Sequence, residues 1–137
     1  AVKIGGGQNH RMGLFDTILI KDNHIDYSND LNTVLNKIGS FIRKLEKKPI
    51  IIVEVRNIFE IKIVLKFNFV DRILLDNMSV SQLYDALSII DGKVKTEASG
   101  EINEQNIEEV ARTGVNYISI GALTHSAPHI DLSLKAC

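Results

Sequence analysis

The sequence has one cysteine, no tryptophan and no long apolar run. Because Cys137 is the sole cysteine, no disulfide can form within the chain, and a reducing cytoplasmic setting is expected. No segment approaches the roughly 20 apolar residues of a membrane-spanning helix, and no signal peptide is apparent. The sequence therefore predicts a cytoplasmic protein without a membrane partner.

An excess of charge of either sign is also missing. Sixteen Lys and Arg residues oppose seventeen Asp and Glu residues, so the formal net charge is −1. This balance gives no electrostatic attraction to nucleic acid or to an anionic membrane. Aromatic residues make up 6% of the chain, and few lie among basic residues, which argues against stacking of single-stranded nucleic acid. At 137 residues and 45% hydrophobic content, the chain is expected to form one domain with one core.

Short apolar segments alternate with segments of helical periodicity along the whole chain. The predicted strands are residues 17–20, 50–53, 70–75, 93–98 and 116–120. Such alternation is typical of parallel strands joined by helical crossovers. It predicts an α/β fold, and both an open doubly wound sheet and an α/β barrel satisfy it.

The predicted helices follow capping residues. The first extends from candidate caps Ser28, Asn29 and Asp30 to about residue 47, before Pro49. Later helices are expected after Asn57, Ser79 and Asn103, the last ending at Gly114. Residues 22–24 are predicted to be a polar loop, and Leu132 and Leu134 lie in a final short segment.

Polar residues or glycines close every predicted strand. They are Lys21, Glu54, Asp76, Ser99 with Gly100, and Gly121. Ligands bind at the carboxyl ends of parallel strands in both candidate architectures, so these residues predict an active site. Glu54 and Asp76 offer oxygen ligands for Mg²⁺ held with a substrate phosphate, or acceptors for sugar hydroxyls. The alternative is that they form salt bridges with Arg11 or Lys21.

A phosphate and a carboxylate are the anions expected at this site. The serine and glycines that follow the last two strands suit a phosphate held by backbone N–H groups. The segment GGGQNHRMGLFDTILIKDNHI, residues 5–25, brings together His10, Arg11 and Lys21, which suit a carboxylate substrate. His125 and His129 are predicted to be surface histidines.

Five motifs carry a resemblance to a known family. They are GGGQNHRMGLFDTILIKDNHI, VEVRN, ILLDNM, EASGEI and SIGALTHSAPHIDLSL. Together they resemble quinolinate phosphoribosyltransferase, and the similarity covers essentially the whole chain in order. The resemblance implies the C-terminal part of an open α/β barrel. It also implies a pentosyltransferase that joins quinolinate to phosphoribosyl pyrophosphate with Mg²⁺, giving nicotinate mononucleotide, pyrophosphate and CO₂ in NAD biosynthesis.

The resemblance also implies roles for individual residues. Those implied at the quinolinate site are His10, Arg11 and Lys21, and Lys21 would also lie near the phosphoribosyl donor. Glu54 and Asp76 would contact the ribose hydroxyls and the metal-pyrophosphate group, and with Lys21 they are the candidate catalytic residues. Those implied to hold the ribose 5-phosphate are Ser99, Gly100 and Gly121.

Three positions depart from the family pattern. Ile52 and Arg56 occupy positions that are often acidic, and Glu101 occupies one that is often Gly or Asn. Family members also carry an N-terminal α/β domain, a TRKT-type basic motif and the first barrel strand ahead of the position of Ala1, and they form at least homodimers. The chain is therefore expected to be a fragment, with residues 1–137 an incomplete barrel that has little activity alone.

Two alternatives remain open from the sequence. One is a related phosphoribosyltransferase that uses nicotinate, which lacks the second carboxylate of quinolinate. The other is a non-catalytic remnant that binds phosphorylated ligands or a partner.

Overall fold

The computed structural model describes residues 1–13, 15–28, 30–127 and 130–135. In these ranges the strands are β1 (Thr17–Ile20), β2 (Ile50–Val55), β3 (Arg72–Asp76), β4 (Lys95–Ser99) and β5 (Tyr117–Ile118). The helices are α1 (Asp22–Tyr27), α2 (Leu31–Ile42), α3 (Ile58–Val64), α4 (Val80–Ile90), α5 (Ile107–Arg112) and α6 (Ala122–His125). The predicted alternation of strands and helices is confirmed.

The strands form one parallel sheet in the order β1-β2-β3-β4-β5. Thr17 is paired with Ile50 across β1 and β2, and Ile52 with Arg72 across β2 and β3. Each new strand is added on the same side of its predecessor, whereas a doubly wound sheet reverses its strand order at a switch point. The sequential order is therefore the winding of an α/β barrel, and among the described strands β1 and β5 are the edges.

The two faces of the sheet have different surroundings because side chains alternate along a strand. Val53, Val55 and Leu75 are fully buried in the main hydrophobic core with the apolar sides of the helices. Successive helices pack side by side, α1 on α2, α2 on α3, α3 on α4 and α4 on α5. The helices thus cover one face of the sheet, which leaves Glu54 and Leu74 on the opposite face.

Side-chain caps define where the longer helices begin. The Asp30 carboxylate accepts a hydrogen bond from the Thr33 N–H, and hydrogen bonds from Thr33 lower the pKa of Asp30. Asp30 is therefore the cap among the three candidates; Asn29 lies outside the described residues. Asn57 caps α3 and Ser79 caps α4, as predicted. None of the helices in the described ranges has the length and apolar character needed to cross a membrane.

Two helix predictions were wrong. Residues 22–24 belong to α1 and are not a loop, because the Lys21 N–H donates to Nδ1 of His24 and Ile25 is buried beneath the helix. Helix α2 ends at Ile42, not near residue 47. There the Lys44 and Leu45 N–H groups bond to carbonyls three residues back, which forms a turn that leads toward β2.

Strand boundaries also differ from the prediction. Strands β3 and β4 each begin two residues later than expected, and β5 is limited to two residues. A turn begins at Asn103, but α5 itself starts at Ile107. Leu132 and Leu134 are exposed and belong to neither a helix nor a strand. Apolar composition marked the centres of these elements, whereas hydrogen-bond pairing determined their ends.

The α3 cap provides a test of local stability. Replacing Asn57 with Ala removes the acceptor of the Glu60 N–H, a 3.0 Å hydrogen bond, and should lower the free energy of unfolding by about 1 kcal/mol. Asn68→Ala, at an exposed turn position, is the matched control and should change it by less than about 0.5 kcal/mol. Urea unfolding measures both, and equal effects would contradict the cap assignment.

Candidate active site

A cavity of about 1360 Å³ lies on the helix-free face of the sheet, at the carboxyl ends of the strands. Seven of the residues predicted to form a site line it: His10, Lys21, Glu54, Asp76, Ser99, Gly100 and Gly121. These residues come from the glycine-rich segment, from four strand ends and from the loop after β5. The structure therefore brings together residues that lie up to 111 positions apart in the sequence.

Arg11 is not brought to the cavity. It lies near Asp16, whose carboxylate accepts the Met12 and Gly13 N–H groups at 3.1 and 3.2 Å. The pKa of Asp16 is lowered chiefly by the Met12 hydrogen bond and in part by the Arg11 charge. His10 and Arg11 thus lie in different surroundings, although they are adjacent in the sequence.

Glu54 and Asp76 form the acidic part of the cavity. Burial raises the pKa of the half-buried Glu54 carboxyl, and the neighbouring Asp76 charge raises it further, while Lys21 opposes the shift. In the described part of the chain, neither carboxylate has a Lys, Arg or His nitrogen within 4.0 Å. The salt bridges considered for them with Arg11 or Lys21 are therefore not formed. Two adjacent acids without a close counterion are a setting that a divalent cation would stabilise.

Gly100 connects the β4 loop to the acidic residues. Its φ is +96°, and a Cβ atom there would collide with the Asn77 side chain and lie 2.8 Å from the Asn77 backbone nitrogen. Asn77, itself at φ +51°, donates a 2.8 Å hydrogen bond to the Asp76 carboxylate. A glycine is needed at position 100 because the chain there approaches the residue that orients Asp76.

The loop that follows β4 lines the cavity with Gly100, Glu101 and Asn103. The Glu101 carbonyl accepts hydrogen bonds from Asn103 and Asn106 side chains, at 3.2 and 3.1 Å. Among the described residues, no acceptor is found for the Gly100 or Glu101 N–H. Glu101 also lines the cavity and holds φ +50°, a left-handed conformation that glycine and asparagine adopt more readily. Its carboxylate adds negative charge beside this loop.

Buried charged residues that sequence reasoning missed lie in the cavity wall. Glu97 is fully buried in β4 and accepts a 2.8 Å hydrogen bond from Arg72 of β3. The Arg72 guanidinium lies 3.8 Å from the centroid of the Tyr117 ring, a cation–π contact. The sequence did contain a signal for this pair: Arg72 begins the buried strand β3, and Glu97 lies inside the next strand, β4. A buried charge of this kind needs a partner.

His125 is a further cavity residue that the sequence analysis did not assign to the site. Its side chain is exposed, as predicted for a surface histidine, but it also lines the cavity. Helix α6 places it one turn after Gly121, where a Cβ atom would lie 3.1 Å from the His125 Nε2. His129 lies outside the described residues.

Two of the family departures have clear structural settings. Ile52 is buried on the same face of β2 as Glu54. Arg56 does not line the cavity and instead bonds to Glu60 at 2.9 Å, with Asp26 3.8 Å away. The hydrogen bond to Glu60 raises the pKa of Arg56. The Arg56 charge is therefore compensated outside the cavity.

Because the pKa of Glu54 is raised, replacing the Glu54 carboxyl with a neutral group should increase stability in a pH-dependent way. The native state binds the Glu54 proton more tightly than the unfolded state, so stability falls as the pH rises from 4.5, the ordinary value, through the raised pKa. Glu54→Gln should therefore raise Tm near neutral pH, and the gain should shrink toward about pH 4, where unperturbed carboxyl groups protonate. Glu108→Gln, an exposed residue paired with Arg112, is the control and should not raise Tm. A Tm for Glu54→Gln at or below wild type near neutral pH would contradict the assignment.

The Gly100 contact predicts a difference between two left-handed glycines. Gly92 has φ +68° and open space where a Cβ would be, so Gly92→Ala should cost only about 1–2 kcal/mol of backbone strain. Gly100→Ala should lower the free energy of unfolding by more, since the new methyl group also displaces Asn77. Chemical denaturation compares the two, and equal losses would show that Asn77 moves freely.

Comparison with known proteins identifies the family of the chain. The family model described as "Quinolinate phosphoribosyl transferase, C-terminal domain" matches residues 1–135. The chain is 42% identical over 149 residues to quinolinate phosphoribosyltransferase [decarboxylating] 1b of Nicotiana tabacum, covering 98% of this chain and 43% of the tobacco protein. It is 41% identical over 143 residues to the probable nicotinate-nucleotide pyrophosphorylase [carboxylating] of Methanocaldococcus jannaschii, covering 98% of this chain and 48% of that protein.

Solved structures show the same fold. The nicotinate-nucleotide pyrophosphorylase of Ehrlichia chaffeensis has a TM-score of 0.80 at 42% identity, over 90% of this chain and 43% of its own. NadC from Streptococcus pyogenes has a TM-score of 0.86 at 34% identity, over 98% of this chain and 46% of its own. The chain thus spans a little under half the length of these relatives. It belongs to the quinolinate phosphoribosyl transferase family and matches the C-terminal domain of that family.

Proposed function

We propose that the protein containing this chain transfers a phosphoribosyl group from phosphoribosyl pyrophosphate to quinolinate, with loss of CO₂, in NAD biosynthesis. The observation that carries the proposal is the single cavity that collects seven predicted site residues at the strand ends. Family membership supports it, because relatives are named as decarboxylating quinolinate phosphoribosyltransferases. The products would be nicotinate mononucleotide, pyrophosphate and CO₂.

Quinolinate would bind through the cationic side of the cavity. His10 and Lys21 line it and provide N–H donors for carboxylates. Arg72 lies in the cavity wall and adds a third side chain with nitrogen donors. Arg11 remains a predicted quinolinate ligand, but its position beside Asp16 gives that prediction no support.

Glu54 and Asp76 would bind the ribose hydroxyls and a magnesium ion. No group of three His, Cys, Asp or Glu side chains among the described residues forms a metal site. Two adjacent carboxylates nevertheless fit a Mg²⁺ ion that keeps waters and takes further oxygens from the substrate pyrophosphate. The ion would supply positive charge for the leaving pyrophosphate.

The ribose 5-phosphate would bind where the loops that follow β4 and β5 line the cavity. The β4 loop offers the Ser99 hydroxyl and the N–H groups of Gly100 and Glu101, and Gly121 lies on the neighbouring loop. Backbone N–H groups and a hydroxyl suit phosphate oxygens. The Glu101 carboxylate would oppose this binding, so its substitution by asparagine is expected to tighten it.

The reaction needs positioning and charge stabilisation more than proton transfer. The quinolinate ring nitrogen attacks C1 of the ribose, and the electron pair of the breaking C1–O bond leaves with pyrophosphate. The bond between ring C2 and its carboxylate then breaks, CO₂ departs, and the pair left on C2 takes a proton from water. Lys21 would stabilise developing negative charge, and Glu54 and Asp76 the positive charge on the ribose.

We also propose that the complete protein is a cytoplasmic homodimer or larger homo-oligomer. The lone cysteine supports a reducing compartment. Exposed apolar side chains near the glycine-rich segment, Ile4, Met12 and Phe15, support an interface with further polypeptide. Sedimentation would test the oligomer, and fractionation the location, since some plant relatives are named mitochondrial or chloroplastic.

Substitution of Lys21 tests the proposed reaction. In the complete protein, Lys21→Ala should lower the production of nicotinate mononucleotide from quinolinate and phosphoribosyl pyrophosphate by about 100-fold or more. Lys66→Ala, an exposed lysine beyond α3, is the matched control and should retain the wild-type rate. Near-normal rates in Lys21→Ala would exclude its assigned role.

Thermal melting and product release, measured with each candidate compound, identify the substrate. Quinolinate, and not nicotinate, should raise the melting temperature of the complete protein and release CO₂ with pyrophosphate. A shift with nicotinate alone would favour the nicotinate-using alternative. The absence of turnover with either compound would favour a non-catalytic remnant.

A further inference from the structure

Glu97 is the most completely buried acid in the described cavity wall. Its residue exposure is 0%. One carboxylate oxygen, Oε2, accepts the Arg72 Nη1 hydrogen bond at 2.8 Å. The other, Oε1, lies 3.1 Å from the His10 Nε2 and accepts a hydrogen bond from the Ser119 hydroxyl. Both oxygens are therefore occupied by protein groups, and Glu97 is poorly placed to bind a metal ion or a ribose hydroxyl.

The contact with Glu97 orients the His10 ring. The His10 Nε2 faces Oε1 at 3.1 Å, so the ring turns Nδ1 away from Glu97. The His10 side chain keeps 32% exposure and lines the cavity. The other hydrogen bonds described for residues 1–13 stay within that segment or reach Asp16. Glu97 is thus the described polar link between the glycine-rich segment and β4.

Arg72 is fixed from two directions. Glu97 holds one end of its guanidinium, and the Tyr117 ring packs against its plane at 3.8 Å. Its side chain is 18% exposed and lines the cavity. A guanidinium carries five N–H donors, and Glu97 takes only one in this arrangement. Among the described residues, the other Arg72 donors have no hydrogen-bond acceptor.

We propose that Glu97 is a positioning residue that holds the His10 ring and the Arg72 guanidinium in place beside the carboxylates of the substrate. The inference rests on the proposed function for the identity of that substrate. It assigns no contact between Glu97 and the reacting atoms. Glu97 acts through the two side chains that its two oxygens hold in place.

A purely structural ion pair would have different consequences. Breaking it would lower stability without selectively changing the binding of one substrate. Glu97→Gln separates the two roles because glutamine keeps the shape of the side chain. Its amide oxygen can accept from one donor, but its NH₂ group faces the other donor and cannot accept.

The experiment compares Glu97→Gln with Glu60→Gln in the complete protein. Glu60 is also buried and paired with an arginine, Arg56, but it lies on α3 outside the cavity. Glu97→Gln should raise the KM for quinolinate about 10- to 100-fold, from the loss of a charge-assisted hydrogen bond, while the KM for phosphoribosyl pyrophosphate stays within about twofold. Glu60→Gln should leave both constants at wild-type values.

A spectroscopic measurement follows His10 independently of turnover. Long-range ¹H–¹⁵N spectra report the surroundings of each ring nitrogen, and the His10 Nε2 signal should move in Glu97→Gln and keep its position in Glu60→Gln. If Glu97→Gln fails to fold, Glu97→Asp keeps the charge but is too short to reach both partners, and it should give the same changes.

The outcomes separate this inference from the proposed function. If wild type turns over quinolinate and Glu97→Gln keeps its KM, or changes both KM values equally, the positioning role is overturned. If wild type has no turnover, the proposed function fails, and the His10 spectrum alone decides whether Glu97 orients that ring. An unchanged His10 spectrum in Glu97→Gln would overturn the inference.

Discussion

Parallel pairing of the five strands in sequential order is the constraint on which the other features depend. Since every strand runs in the same direction, every carboxyl end lies at one edge of the sheet. Helices are confined to one face because each crossover returns on the same side. The opposite face therefore has no helical cover, and side chains such as Glu54 and Asp76 meet there across neighbouring strands.

Charge on that face is tolerated in two different ways. Deep in the wall, Glu97 and Arg72 compensate each other, and Tyr117 covers the guanidinium. Nearer the strand ends, Glu54 and Asp76 have no such partner among the described residues, and burial raises the Glu54 pKa. Glu97 and Arg72 neutralise each other's charge inside the wall. Glu54 and Asp76 have no close counterion in the described part of the wall, so a bound cation would stabilise them. The paired and the unpaired carboxylates thus lie in different parts of the same cavity.

The glycines of this chain have separate tasks. The Gly5–Gly7 run carries His10 toward the cavity through a turn closed by local hydrogen bonds. Gly100 is required by the close approach of Asn77, and that approach places N–H groups of the β4 loop beside the acids. The first glycines thus shape the segment that carries His10, and Gly100 shapes the loop beside Asp76.

The sequence by itself determined the alternation of elements and the residues at the strand ends, because apolar periodicity and capping are local properties. The alternation alone left the sheet order open, since barrel and doubly wound architectures share it; the family resemblance implied the barrel, and the strand pairing confirms it. Only the tertiary structure separated His10 from Arg11, because His10 contacts Glu97 of β4, 87 residues away, whereas Arg11 lies beside Asp16. Only the tertiary structure revealed the contacts of Glu97. Its partners His10, Arg72 and Ser119 lie 22 to 87 residues away in the sequence, and no local pattern specifies them.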